Sequence, residues 1–60
     1  MWQGKMTSEL KNLYNEYSKR FNSYPDEYIE LEYGEDEYKD YVQDIKKALK
    51  IGKELIDFVE

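Results

Sequence analysis

The chain has 60 residues, enough for one small domain, and 14 acids against nine bases give it a net charge of −5. It contains no cysteine and no histidine, so disulfides are excluded, zinc and haem lack their usual ligands, and imidazole catalysis is absent. A negative charge disfavours direct binding to nucleic acid or to an anionic membrane. We therefore expect a protein that is not an enzyme, with no cofactor and no metal.

The aromatic content favours a folded domain over a disordered chain. Seven tyrosines, two phenylalanines and one tryptophan supply large rings for a core, whereas disordered acidic chains are poor in aromatic residues. No apolar run approaches the roughly 18 residues of a membrane span, and the first residues lack the apolar stretch of a signal peptide. The sequence therefore predicts a soluble, cytoplasmic protein.

The first half of the chain predicts a flexible leader followed by a helix. We assign residues 1–6 to the leader and residues 7–60 to a single small domain, with Thr7 or Ser8 as the N-cap of the helix. Apolar residues then recur at the spacing of one helical face, which predicts a helix at about 8–22; they are Leu10, Leu13, Tyr14, Tyr17 and Phe21.

The segment after Pro25 has two competing interpretations. A residue that precedes proline avoids the helical region, so the first helix ends before Tyr24. Ile29, Leu31 and Tyr33 then alternate with two glutamates, which favours a short strand at about 28–33. The alternative is a short helix that Pro25 begins and Gly34 ends.

A second helix is predicted at about 35–51, with Gly52 as its stop. Its apolar stripe comprises Tyr38, Tyr41, Val42, Ile45, Ala48 and Leu49. The apolar tail at 54–59 is either a parallel partner for 28–33 or a helical turn packed across the two helices. We thus predict a small, mainly helical α+β fold, with an all-α three-helix arrangement as the alternative.

The most informative feature is the distribution of charge. Residues 26–44, which we call the acidic stretch, hold nine carboxylates and one lysine, a net charge of −8, whereas the other residues hold five acids and eight bases, a net of +3. The helix dipole accounts for the acids at 35–37, which lie in the first turn of the second helix. The dipole does not account for the acidic residues that precede position 35 or follow position 37. The alternative explanation for these residues is an ordinary solvated surface.

On an ideal helix, Asp36, Asp40 and Asp44 form one line with a rise of about 6 Å between neighbours, similar to the spacing of phosphates along a nucleic-acid strand. Tyrosines nearby add contact area that stacks well on arginine. We therefore predict a protein-binding surface made of Tyr24, Tyr28, Glu30, Glu32, Asp36, Asp40 and Asp44.

These features suggest a small binding protein that docks on a basic protein surface, such as that of a nucleic-acid-binding enzyme, and blocks it. At the level of class only, a short acidic chain without histidine or cysteine resembles the phage-encoded DNA mimics that inhibit restriction and CRISPR nucleases. Two alternatives remain open. One is a homo-oligomeric module, such as a homodimer, that pairs through Leu55, Phe58 and Val59, and the other is an antitoxin-like partner of a basic toxin.

Overall fold

The computed structural model describes residues 2–27 and 31–58, in which two α-helices are the main elements. Helix α1 spans Ser8–Phe21 and helix α2 spans Tyr38–Ile51. Short 3₁₀ turns lie at Pro25–Glu27, Glu35–Glu37 and Leu55–Asp57. The described residues contain no strand, so the all-helical alternative fits the protein better than an α+β fold.

Local side-chain chemistry sets both ends of α1. Thr7 is the N-cap, and its hydroxyl oxygen accepts a hydrogen bond from the Leu10 N–H at 3.1 Å. At the other end Asn22 adopts the left-handed conformation, with φ of 60°, and donates its N–H to the Ser18 carbonyl. The helix predicted at 8–22 therefore ends at Phe21, with Asn22 as its C-cap.

Helix α2 begins three residues later than the predicted start at 35. Residues 35–37 form a 3₁₀ turn, and the backbone dihedral angles of Glu37, φ of −103° and ψ of 23°, lie outside the α-helical region. The Glu37 carboxylate turns back to accept a hydrogen bond from the Gly34 N–H at 2.8 Å. At its other end Gly52 takes φ of 74°, which ends the helix as predicted.

The two helices run in the same direction. At their N-terminal ends, the Thr7 hydroxyl lies 2.8 Å from the Tyr38 hydroxyl. At their C-terminal ends, Arg20 lies against Gly52, where a Cβ would come within 2.7 Å of a guanidinium nitrogen. In a parallel pair the two helix dipoles point the same way and repel each other. The charged side chains offset this repulsion, because acidic residues occupy the first turns and basic residues occupy the last turns.

The strand predicted at 28–33 is not present in residues 31–33, and residues 28–30 lie outside the described part of the chain. The alternation that suggested it is nevertheless real, since Leu31 and Tyr33 are 4% and 6% exposed and Glu32 between them is exposed. What the described residues lack is a partner strand, because Trp2 supplies a single parallel bridge to Tyr33 and the tail is a 3₁₀ turn.

The core fills the space between the helices, the connecting segment and the tail. Its buried members are Leu10, Tyr14, Tyr17, Leu31, Tyr33, Tyr41, Val42, Ile45, Ala48 and Leu55. The tail forms a helical turn, which was the second of its two predicted alternatives. Leu55 is fully buried in this 3₁₀ turn, and its N–H donates to the Tyr17 hydroxyl at 3.0 Å. Leu55 is therefore not exposed for contact in a homodimer. Phe58 is half-buried, and the Lys47 ammonium lies over its ring.

The predicted flexible leader makes specific contacts in the structure. The Trp2 ring stacks on Tyr41 with centroids 5.0 Å apart and an interplanar angle of 14°. Its indole N–H donates to the Lys5 carbonyl at 2.9 Å, and the Gln3 N–H donates to the Tyr33 carbonyl at 3.0 Å. Aromatic stacking, which periodicity does not reveal, holds this segment against α2.

Candidate functional site

The acidic stretch divides into carboxylates used by the fold and carboxylates that face solvent. Three have structural partners: Glu27 accepts from the Tyr24 N–H, Glu37 from the Gly34 N–H, and Asp44 from the Tyr33 hydroxyl at 2.7 Å. The others in the described part are exposed, apart from a half-exposed Asp26; they are Glu32, Glu35, Asp36 and Asp40. These four exposed carboxylates make up the candidate binding surface.

None of the chain's lysines neutralises this surface among the described residues. Their single ion pair joins Lys46 to Glu9, 3.7 Å apart, and Glu9 lies outside the acidic stretch. The nearest base along the chain, Lys39, is exposed. No ion pair among the described residues therefore accounts for these exposed carboxylates.

Helix α2 brings Asp40 and Asp44 onto one line, four residues and about 6 Å apart along its axis. Asp36 does not continue this line, because the helix starts after it and Glu37 interrupts the helical phase. Its carboxylate points back instead, and a Cβ on Gly34 would lie 2.9 Å from one of its oxygens. Of the three carboxylates predicted to form one row, Asp40 and Asp44 are therefore aligned, and Asp36, which precedes them, lies off their line.

Tyr33 connects the core to this surface. Its ring lies against Tyr41, with centroids 4.6 Å apart, while its hydroxyl bonds to Asp44. Burial raises the pKa of Tyr33 above its usual value, and so do the hydrogen bond to Asp44 and the charges of Asp44, Glu37 and Asp40. Three carboxylates thus concentrate negative potential around one hydroxyl. Sequence reasoning did not select Tyr33, although its alternation with Glu32 had placed it on the dry face.

The other predicted site residues are dispersed. Tyr24 is 46% exposed and its ring leans against Tyr14, with centroids 6.4 Å apart, on the side of the core where the connecting segment leaves α1. Glu32 is exposed beside Tyr33 in sequence. Tyr28 and Glu30 lie outside the described residues. The structure therefore brings together Asp40, Asp44 and Tyr33, and it places Tyr24 with a different group of rings.

A second polar network lies where the two helices start. The Tyr38 hydroxyl donates to the Glu9 carboxylate at 2.8 Å, so the Thr7 hydroxyl must be the donor in its bond to Tyr38. Thr7 in turn accepts from the Leu10 N–H. These bonds hold the start of α1 against the start of α2, and Glu9 also pairs with Lys46.

Neither metal binding nor a deep cleft is evident in the part of the chain that the structure describes. No three histidine, cysteine, aspartate or glutamate side chains there are placed so that they could hold one metal ion. A shallow groove of about 370 Å³, lined by Glu16, Lys19, Arg20 and Leu49, opens near the C-terminal ends of the helices. Nor is any helix of these residues long and apolar enough to cross a membrane.

Comparison with known proteins adds no relative. The chain matches no family model, no curated protein and no solved structure.

Proposed function

We propose that the protein is a non-enzymatic binding protein whose acidic surface docks on a basic protein surface. The observation that supports this most is a set of exposed carboxylates that have no ion-pair partner in residues 2–27 and 31–58, namely Glu32, Glu35, Asp36 and Asp40. A surface of one sign attracts partners of the opposite sign and accelerates their association. Of these carboxylates, Asp40 lies with the bonded Asp44 on α2 next to Tyr33, and the acidic residues together make up the patch that we propose as the docking surface.

The partner class that fits best is a nucleic-acid-binding protein. Asp40 and Asp44 repeat at a spacing close to that of phosphates, and α2 holds them on a rigid element. Occupying a cationic groove would inhibit such a protein, as DNA mimics of phages do. Asp36 adds charge to the patch without extending a regular row, so the proposal rests on charge density and not on a phosphate-like repeat.

The test compares two double charge reversals that change net charge equally. Glu32→Lys with Asp40→Lys removes the proposed docking surface, and Glu16→Lys with Asp57→Lys reverses two exposed acids outside it. Tagged proteins are used to capture partners from the native host at low and high salt, with and without competing DNA. We expect the wild type and the control to retain a basic, nucleic-acid-binding protein that salt and DNA displace.

The first variant should lose that protein while keeping its helical circular dichroism. Equal retention by both variants would reject the proposal, and equal loss would mean that net charge alone governs capture. Sedimentation of the free wild type tests the homodimer, for which the exposed large apolar side chains among the described residues are Met6, Tyr24, Ile51 and Ile56.

A further inference from the structure

The N-terminal residues 2–5, which we call the N-terminal strap, make contacts that lead to the acidic surface in two steps. The Gln3 N–H is bonded to the Tyr33 carbonyl, and the Trp2 ring covers Tyr41, which itself packs on the Tyr33 ring. Tyr33 then donates its hydroxyl to Asp44. The strap therefore holds both the backbone and, through Tyr41, the ring of the residue that orients Asp44.

The strap is itself built to hold one shape. The Trp2 indole N–H closes a turn onto the Lys5 carbonyl, and the indole lies so close to Gly4 that a Cβ there would come within 2.3 Å of it. A residue without a Cβ is therefore needed at position 4 for the Trp2 indole to occupy this position. Trp2 also leans on Tyr38, with centroids 5.8 Å apart, so the ring spans the first turn of α2.

We propose that the N-terminal strap is a positioning element for the acidic surface, which fixes Asp44 by clamping Tyr33 between Gln3 and the Trp2–Tyr41 stack. Trp2 and Gln3 have no hydrogen bond to a carboxylate of the acidic stretch among the described residues, so the strap reaches Asp44 through Tyr33 and through the rings of α2. The effect on partner binding rests on the proposed function, whereas the effect on Tyr33 does not.

The positioning is tested by nuclear magnetic resonance on the full chain. A hydroxyl proton bonded to a carboxylate exchanges slowly with water, so its exchange rate reports on the Tyr33–Asp44 bond. We expect Trp2→Ala to speed the exchange roughly tenfold and Trp2→Phe, which keeps a ring over Tyr41, to restore most of the protection. Phe21→Ala is the matched control, because Phe21 is half-buried and packs on Tyr17 at the far end of α1.

Unchanged exchange in Trp2→Ala would overturn the proposal, and so would an equal acceleration in Phe21→Ala, which would indicate a general loss of stability. For binding, we expect Trp2→Ala to weaken the affinity for an oligoarginine peptide roughly two- to fivefold, and to cause no further loss in an Asp44→Asn background. Additive losses would show that the strap does not act through Asp44. If the wild type binds oligoarginine no better than oligoglutamate, the proposed function fails, while the exchange experiment still decides the positioning.

Discussion

The aromatic core and the acidic surface both draw residues from 31–44, yet they follow opposite rules. In the core, every hydroxyl of Tyr14, Tyr33 and Tyr41 has a partner, and no side-chain polar atom buried in the described residues is left unsatisfied. On the surface, Glu32 and Asp40 have none among those residues. Folding thus explains these three buried tyrosines. It explains the exposed carboxylates only in part, since the α2 dipole favours Asp40 and no described contact involves Glu32, so these carboxylates are the part of the molecule that function must explain.

Tyr41 gives the largest expected effect in the core. Its ring is almost fully buried and contacts Trp2, Tyr14 and Tyr33. We expect Tyr41→Ala to cost about 3–5 kcal/mol, as large aromatic deletions do, which is a large share of the stability of a domain of this size. Tyr41→Phe removes only the bond to the Tyr14 hydroxyl and should cost about 0.5–1.5 kcal/mol. Urea unfolding measures both, and similar values for the two variants would contradict this account of the core.

The core should also respond to alkaline pH. Burial raises the pKa of Tyr14 from 10.0 to about 12, and burial together with hydrogen bonding raises those of Tyr33 and Tyr41 further. The unfolded chain therefore releases these protons first, so stability is intact below pH 10 and falls as pH rises through the folded values. Urea unfolding at a series of pH values, followed by phenolate absorbance, checks this. A stability that stays constant above pH 10 would show that these hydroxyls titrate as if exposed.

The junction between core and helix ends gives a smaller effect. Thr7 caps α1 and donates to Tyr38, so Thr7→Ala should cost about 1–2 kcal/mol, while Thr7→Ser keeps the hydroxyl and most of the stability. The measurement is again the free energy of unfolding in urea. If serine fails to rescue, the methyl group of threonine and not its hydroxyl stabilises the junction.

The acidic surface should give the smallest effect on stability. Glu32→Gln with Asp40→Asn removes two charges that have no described partner, so the free energy of unfolding should change by less than about 0.5 kcal/mol. Relief of repulsion stabilises the variant, whereas loss of the interaction of Asp40 with the α2 dipole destabilises it, and added salt should weaken both effects. Thermal unfolding at low and high salt measures the net change. A loss of more than 1 kcal/mol, about the value of a structural hydrogen bond, would show that these carboxylates belong to the fold.

Periodicity predicted the helices well because it is a local signal. The stripe from Leu10 to Phe21 and the stop at Gly52 depend on residues close in sequence, and both agree with the structure within a few residues. The strand at 28–33 failed in residues 31–33 because alternation reports only which side chains are buried. Whether an extended segment becomes a strand depends on a distant partner, which the local pattern does not contain.

The candidate site was predictable in composition and not in arrangement. Charge counting located the acidic stretch, but an ideal helical wheel placed Asp36 in line with Asp40 and Asp44, and the 3₁₀ turn at 35–37 removes it from that line. The bond from Tyr33 to Asp44 and the stacking of Trp2 on Tyr41 join residues 11 and 39 positions apart. Such contacts follow from tertiary packing, which one sequence does not reveal.

The parallel course of α1 and α2 has a consequence for how the chain folds. Two consecutive helices that ran antiparallel would meet through a short turn, whereas here the chain must travel back along the length of α1 before α2 starts. The contacts between them accordingly join distant positions, Tyr14 with Tyr41 and Glu9 with Tyr38, 27 and 29 residues apart. A loop of that length has to close before the helices stabilise each other, so this small helical protein should fold more slowly than an antiparallel helical hairpin of equal size.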